Sequence, residues 1–437
     1  MKYRSTAALS PEVSLEEAVV KGLAPDKGLY MPLSFPSLSD DFINHLPEMS
    51  LPQMAYEVAA ALFGEDVEED ALKRIVEETL NFKIPLVKVD NNIFSLELFH
   101  GPTLAFKDVG ARFMARLLGY FNRSNKERTV NVLVATSGDT GSAVANGFLG
   151  VEGVHVFVLY PKGKVSRIQE AQFTTLGRNI TAIEVDGTFD DCQALVKKAF
   201  LDKDLNEAMM LTSANSINVA RFLPQMFYYF YAYAQAVKVG ADPSGIVFCV
   251  PSGNFGNITA GLIAKKMGLP VKRFIAANNA NDIFYNYLNT GIYTPKKSVQ
   301  TIANAMDVGD PSNFARVLDL YGNSHEEICT DISGATYSDQ EISETLQKTF
   351  KETGYLLDPH GAVAFRALSE NIDPSETGIF LETAHPAKFK ETVESIIGEE
   401  IAVPDRLMAF LENEKKTVPS SGDFGEFKNF LLSLVKK

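Results

Sequence analysis

Apolar residues recur every three or four positions through LPQMAYEVAAALFG (51–64) and EEDALKRIVEETLNF (68–82), the period of a helix that buries one face. Residues 13–82 therefore read mostly as helices. From about residue 84 the pattern changes. Short apolar runs, RTVNVLVAT (128–136), VHVFVLYP (154–161) and NITAIEVDG (179–187), read as strands, and the helical stretches SAVANGFLG, RIQEAQFTTLG and DDCQALVKKAFLD follow them in turn. The alternation returns with GIVFCVPSG (245–253), VKRFIAANN (271–279) and GIFLETAHP (378–386), interspersed with GNITAGLIAKKMG, SDQEISETLQKTFKETG and GAVAFRALSEN. Strands that are apolar almost throughout, joined to helices by short loops, predict parallel sheets covered on both faces. Between the two blocks lies VARFLPQMFYYFYAYAQAVKVG (219–240), a long aromatic helix. Its aromatic run FYYFYAYA has no basic partner residues and reads as buried core, not as a surface for stacking bases.

The expected class is thus α/β, with two parallel-sheet domains behind a helical N-terminal region. The boundaries read as 1–83 for the helical region, 84–235 for the first α/β block and 236–437 for the second. A site in the cleft between the two blocks is the usual arrangement for such sheets.

The length of 437 residues suffices for two or three domains. A formal charge of −14 offers no basic footprint for nucleic acid or anionic lipid, so neither is an expected partner. Glu12, Glu16 and Glu17 fall where a signal peptide needs apolar residues, and no apolar run reaches the ~20 residues that span a bilayer. Three widely spaced cysteines, Cys192, Cys249 and Cys329, fit a reducing cytoplasm. The six histidines show no ligand spacing, so no metal is expected. The oligomeric state, monomer or homodimer, stays open.

Three glycine- and hydroxyl-rich loops follow predicted strands: ATSGDTGSA (135–143), VPSGNFGNITAG (250–261) and LETAHPAKF (381–389). In SGNFGN, Gly253 and Gly256 let backbone amides turn inward ahead of a helix N-terminus, which suits a phosphate. The same residues also make an ordinary strand-to-helix turn. The loop is neither GxGxxG nor GxxxxGK[ST], which disfavours a dinucleotide or a P-loop nucleotide. SGDTG offers Ser137 and Thr140 hydroxyls for a small anion, or plain caps for helix amides. SANSINVAR (213–221) sets Asn215, Ser216 and Arg221 close together, either as an anion grip or as a cap with a surface arginine. Finally, LAFKD places Lys107 on the edge of an apolar segment at the mouth of a helix. A phosphate cradle without a nucleotide signature and a lone lysine in apolar surroundings together suggest pyridoxal phosphate, whose aldehyde a lysine binds as a Schiff base. Burial lowers a lysine's pKa and so supplies the neutral amine.

Five segments, HGPTLAFKD, ATSGDTGSA, NSINVARFLPQ, VPSGNFGN and ETAHPAKF, occur in the order and at separations that resemble the threonine synthases. These are pyridoxal-phosphate enzymes of the tryptophan synthase β type (fold type II). The opening YRSTAALSPEVSLEEAVVKGLAPDKGLYMP is similar to the longer bacterial and fungal branch of that family, so the likeness spans nearly the whole chain. The resemblance implies that Lys107 is the Schiff-base lysine and proton shuttle. It implies that Gly253, Asn254, Phe255, Gly256 and Asn257 bind the cofactor phosphate and that Thr383 faces the pyridine nitrogen. Ser137, Asp139 and Thr140 would hold the substrate's carboxylate, and Asn215, Ser216 and Arg221 its phosphate. Asp139 stands where many fold-type-II enzymes carry asparagine beside the cofactor's phenolic oxygen. STAA replaces the frequent STRG of this branch, so no arginine role carries over there. The implied activity is that of a lyase in threonine biosynthesis, turning O-phospho-L-homoserine and water into L-threonine and phosphate by γ-elimination and β-addition of water. A related phospho-lyase, a serine or threonine dehydratase, and a non-catalytic ligand-binding homologue are the competing readings.

Overall fold

The structure is a computed structural model, and it describes residues 1–123 and 129–435. Of the predicted strand 128–136, Arg128 lies outside the described residues, and the strand itself runs Val130–Ala135. The chain forms two compact units that interleave in sequence. The first unit comprises residues 31–106 and 222–402, with Met1. The second comprises residues 2–30, residues 107–221 and the C-terminal stretch from Val403.

The first unit holds a six-stranded sheet in the order Ile332–Thr336, Arg273–Asn278, Ile246–Pro251, Thr377–Glu382, Ile93–Glu97, Leu86–Asp90. Every neighbouring pair is parallel except the last two strands, which form a hairpin. Every residue of IVFCVP (246–251) is buried, as expected of a central strand covered on both faces. Phe248 lies in register with Phe274 and stacks on it at 6.1 Å, and Tyr229 meets both rings edge-on. A Cβ on Gly261 would come within 2.8 Å of Tyr229 and Phe274, so glycine lets the helix Gly256–Lys266 lie close over these rings. Tyr229 belongs to the aromatic run, which is indeed core. It is not one helix, however. A short helix Val219–Phe222 and a 3-10 turn Leu223–Gln225 precede the helix Met226–Lys238. Pro224, which has no N–H to give a helix, sits in that turn, and the two units meet in sequence between Arg221 and Phe222.

The second unit holds a five-stranded, all-parallel sheet ordered Val418–Ser420, Ile180–Val185, Val154–Pro161, Val130–Ala135, Met210–Ser213. Its core gathers Leu133, Phe157, Ile183, Cys192 and Leu195 with Phe427 and Leu431 from the C-terminal helix. Contiguous stretches divided at residues 83 and 235 do not describe these units. Ile93–Glu97 pairs in parallel with Thr377–Glu382, and Val418–Ser420 pairs with Ile183–Val185. Residues 2–30 belong to the second unit, where the Val19 carbonyl accepts from Asn218 Nδ2 at 2.9 Å. The helices Leu51–Phe63 and Glu69–Thr79 belong to the first. Among the described residues no helix is long and apolar enough to cross a membrane.

Candidate active site

In the first unit the strand Ile246–Pro251 ends in Ser252-Gly253-Asn254-Phe255, and the helix Gly256–Lys266 begins at once. Phe255 adopts the left-handed conformation at φ +63, a strained choice for a residue with a side chain, and its ring packs on Phe284 at 4.5 Å. Gly253 has no room for a Cβ, which would lie 2.9 Å from the Ala305 oxygen and from Met306 Cα. Asn254 is held on both sides. Its Oδ1 accepts from the Ser312 N–H at 2.7 Å and its carbonyl from Asn313 Nδ2 at 3.0 Å. Behind it the buried Arg316 donates to Asn313 Oδ1 at 2.6 Å and lies over the Phe222 ring at 3.9 Å. Burial pushes its pKa down to about 9, so the guanidinium stays charged near neutrality. Asn257 Oδ1 accepts from the hydroxyls of Tyr228 and Tyr229 at 2.7 and 2.8 Å. Its Nδ2 is buried and finds no acceptor among the described residues. A buried donor in that state costs about 1–3 kcal/mol, and it sits in the first turn of a helix, where the dipole favours an anion.

Thr383 follows the strand Thr377–Glu382 in the same unit. Its carbonyl accepts from the Phe106 N–H at 2.9 Å, Ala384 bridges Ala105, and the His385 N–H donates to the Leu104 carbonyl at 3.1 Å. The turn carrying Thr383 is therefore fixed to the residue that precedes Lys107 in the chain. His385 Nδ1 accepts from the Ala387 N–H at 3.1 Å. Burial, with His100 nearby, pushes its pKa down to about 4, so the ring is neutral at pH 7.

In the second unit, Lys107 is half-buried and opens the helix Lys107–Asn122. Its carbonyl accepts from Arg221 Nη1 at 2.6 Å, and Arg221 Nε donates to the Ala214 carbonyl at 3.1 Å. Arg221 is almost wholly buried, and part of its guanidinium braces the backbone under Lys107, a contact that sequence reasoning did not anticipate. A Cβ on Gly110 would come 2.2 Å from the Arg221 oxygen, which explains the glycine one turn along. Asn215 Nδ2 donates to the Ala135 carbonyl at 3.4 Å, bringing NSINVAR against the strand end that leads into SGDTG.

Asp139 begins the helix Asp139–Phe148, after Gly138 at φ +143. The Thr136 hydroxyl accepts from the amides of Gly138 and Gly141 at 2.9 and 2.8 Å, and so shapes the loop. Asp139 Oδ1 accepts from Gln169 Nε2 at 2.8 Å, so one carboxylate oxygen is held by a neutral amide. Gln169 was not foreseen. SRIQ shows it only as the fourth residue of a helix-start pattern, and Ser166 does cap that helix, but the partner lies 30 residues upstream. Gln169→Leu should leave Asp139 without this buried bond and cost ~1–3 kcal/mol of stability. The check is the urea midpoint, which should fall with the slope unchanged.

The N-terminal 2–80 match the family model "threonine synthase N terminus", residues 79–381 that of "pyridoxal-phosphate dependent enzyme", and residues 361–431 that of "threonine synthase, C-terminal". The threonine synthase of Haemophilus influenzae is 46% identical over 96% of this chain and 97% of its own. The chain belongs to the threonine synthase family. The crystal structure of Escherichia coli threonine synthase superimposes with a TM-score of 0.92 at 42% identity, covering 99% of this chain and 100% of that one. The PLP-bound threonine synthase of Brucella melitensis gives 0.93 at 34% identity, with both chains fully covered. This threonine synthase family member is a pyridoxal-phosphate-dependent enzyme of fold type II. The residues present fit that cofactor: the buried Asn257 amide without an acceptor, in the first turn of a helix, would suit a phosphate.

Proposed function

We propose that the chain converts O-phospho-L-homoserine and water to L-threonine and phosphate in the cytoplasm, with Lys107 as the cofactor lysine and catalytic base. The observation that carries the residue assignment is the buried Asn257 Nδ2 without an acceptor at the start of a helix, in a chain of this family. Bound pyridoxal phosphate supplies a sink for the negative charge that forms next to the substrate's carboxylate. The amides of Gly253 to Gly256 and the Asn257 side chain hold the cofactor phosphate. The Thr383 hydroxyl would face the ring nitrogen without forcing it to stay protonated. Ser137, Asp139 and Thr140, at the start of a helix, orient the substrate carboxylate. The Lys107 amine takes a proton from the substrate's α carbon, then moves one from its β carbon. Asn215, Ser216 and Arg221 grip the departing phosphate, where donors count most as charge builds.

The reaction test is direct. Purified enzyme supplied with O-phospho-L-homoserine should release phosphate equal to threonine plus 2-oxobutyrate, with 2-oxobutyrate the minor product. A preference for unphosphorylated serine or threonine would replace this reading with a dehydratase, and 2-oxobutyrate as the main product from O-phospho-L-homoserine would replace it with a phospho-lyase. Arg221→Ala should slow phosphate release by about 30-fold, the low end for loss of a buried charged partner. The low end applies because Nε and Nη1 already serve backbone carbonyls. Arg221→Lys should recover little, since an ammonium cannot make the parallel bonds of a guanidinium.

A further inference from the structure

Asp358 and His360 lie buried at the start of the helix Pro359–Asn371 in the first unit, and neither carries a role in the reading above. Asp358 Oδ1 accepts from His360 Nδ1 at 2.7 Å and from the backbone N–H groups of His360 and Gly361 at 2.5 and 3.2 Å. Its Oδ2 accepts from the Ala384 N–H at 3.0 Å. Ala384 is the residue after Thr383. At the other end, His360 Nε2 accepts from the Ala305 N–H at 3.1 Å. These partners fix the tautomer, with the proton on Nδ1 facing a carboxylate and a lone pair on Nε2 facing an amide. Ala305 is the residue whose oxygen would lie 2.9 Å from a Gly253 Cβ. One buried pair is thus bonded on one side to the turn that carries Thr383, and on the other to the segment that lies against Gly253.

We propose that the Asp358–His360 pair is a positioning device that sets the spacing between the phosphate cradle at Gly253 and the turn carrying Thr383. The proposal rests on the cofactor-site assignment made above. A ligand held at both ends gains from each end only if the distance between them is right, and a misplacement of about 1 Å is enough to lose much of that gain. Glu382 reinforces the device. Its Oε1 accepts from the Asp358 N–H at 2.6 Å, and a Cβ at Gly361 would fall on its Oε2. The glycine after His360 is therefore part of the same packing. Burial, with Asp358 beside it, raises the Glu382 pKa well above the usual range.

The test is cofactor binding to the full-length apoenzyme, read by absorbance, with inorganic phosphate as a competitor that probes the cradle alone. His360→Leu should weaken pyridoxal phosphate by about tenfold or more, while the inhibition constant of phosphate changes less than about twofold. His360→Gln, which keeps an acceptor toward Ala305 and is the safer variant to fold, should recover part of the loss. Adding Asp358→Asn to His360→Leu should cost little further, because both changes break one device. Equal losses for pyridoxal phosphate and inorganic phosphate would overturn the proposal, because the cradle itself would then have been damaged. Wild-type cofactor affinity in both His360 variants would overturn it as well. Because the readout is binding and not turnover, the comparison is decided the same way whichever substrate the enzyme prefers.

Discussion

Lys107→Ala is expected to lower phosphate release from O-phospho-L-homoserine by about 10³-fold or more, because it removes both the attachment point and the base. The fold should tolerate the change. Lys107 is the first residue of a helix, where alanine is a good substitute, and its carbonyl, which accepts from Arg221, is kept in the variant. Cofactor binding should weaken but survive through the phosphate cradle, which belongs to another stretch of the chain. Two measurements decide the matter. Turnover is followed with phosphate and threonine measured together, and the wild-type holoenzyme is reduced with borohydride and its peptides mapped. The adduct should be on Lys107. Lys388 is the competitor in the same set of motifs, but it is buried and its Nζ donates to the Thr103 carbonyl at 2.8 Å. Lys162 is exposed. An adduct on either would overturn the assignment.

The strands that sequence reading found are those with continuous apolar runs, such as VHVFVLYP and GIVFCVPSG, which stand as Val154–Pro161 and Ile246–Pro251. Strands it passed over are short or polar. The hairpin Leu86–Asp90 and Ile93–Glu97 carries charged residues and an Asn-Asn turn, and ISGAT (332–336) is broken by glycine. The interleaving of the units was not legible, because a parallel pairing such as Ile93 with Gly378 leaves no local mark on either segment. The loops were legible for the opposite reason. Glycines and hydroxyls at a strand end announce a turn and a helix start by themselves.

The same division runs through the site. Lys107, SGDTG and SGNFGN could be picked out because each carries its chemistry within a few residues. Gln169, Asn313, Arg316, Asp358 and His360 could not. A glutamine inside RIQEAQF or a histidine in DPHG becomes informative only when folding brings it to Asp139 or Ala305. Arg221 is the intermediate case. Its residue type suggested a phosphate partner, and the fold adds a second task, bracing the carbonyl of Lys107, which no spacing in NSINVAR encodes.

Gly253→Val should weaken pyridoxal phosphate binding by about 10²-fold, close to the upper end of what overpacking a tight site costs. The reason is steric and not conformational, since Gly253 is absent from the positive-φ glycines. Its Cβ would meet the Ala305 carbonyl oxygen and Met306 Cα at 2.9 Å, and both are backbone atoms that cannot swing aside. Relief must come from one of two movements. The cradle can shift away from Ala305, which misaims the amides of residues 253–256 and the Asn257 side chain. Otherwise the segment Asn304–Met306 can retreat, which breaks the bond from the Ala305 N–H to His360. Either way the phosphate loses donors while most of the core stays packed, because the strand Ile246–Pro251 and the helix Gly256–Lys266 keep their own contacts. The apoenzyme's thermal midpoint should therefore fall by only a few degrees, about 1–3 kcal/mol in stability. The stabilisation gained on adding cofactor should shrink much more, since it scales with the logarithm of ligand over dissociation constant. Full occupancy of Gly253→Val at limiting cofactor would mean that the phosphate is held elsewhere.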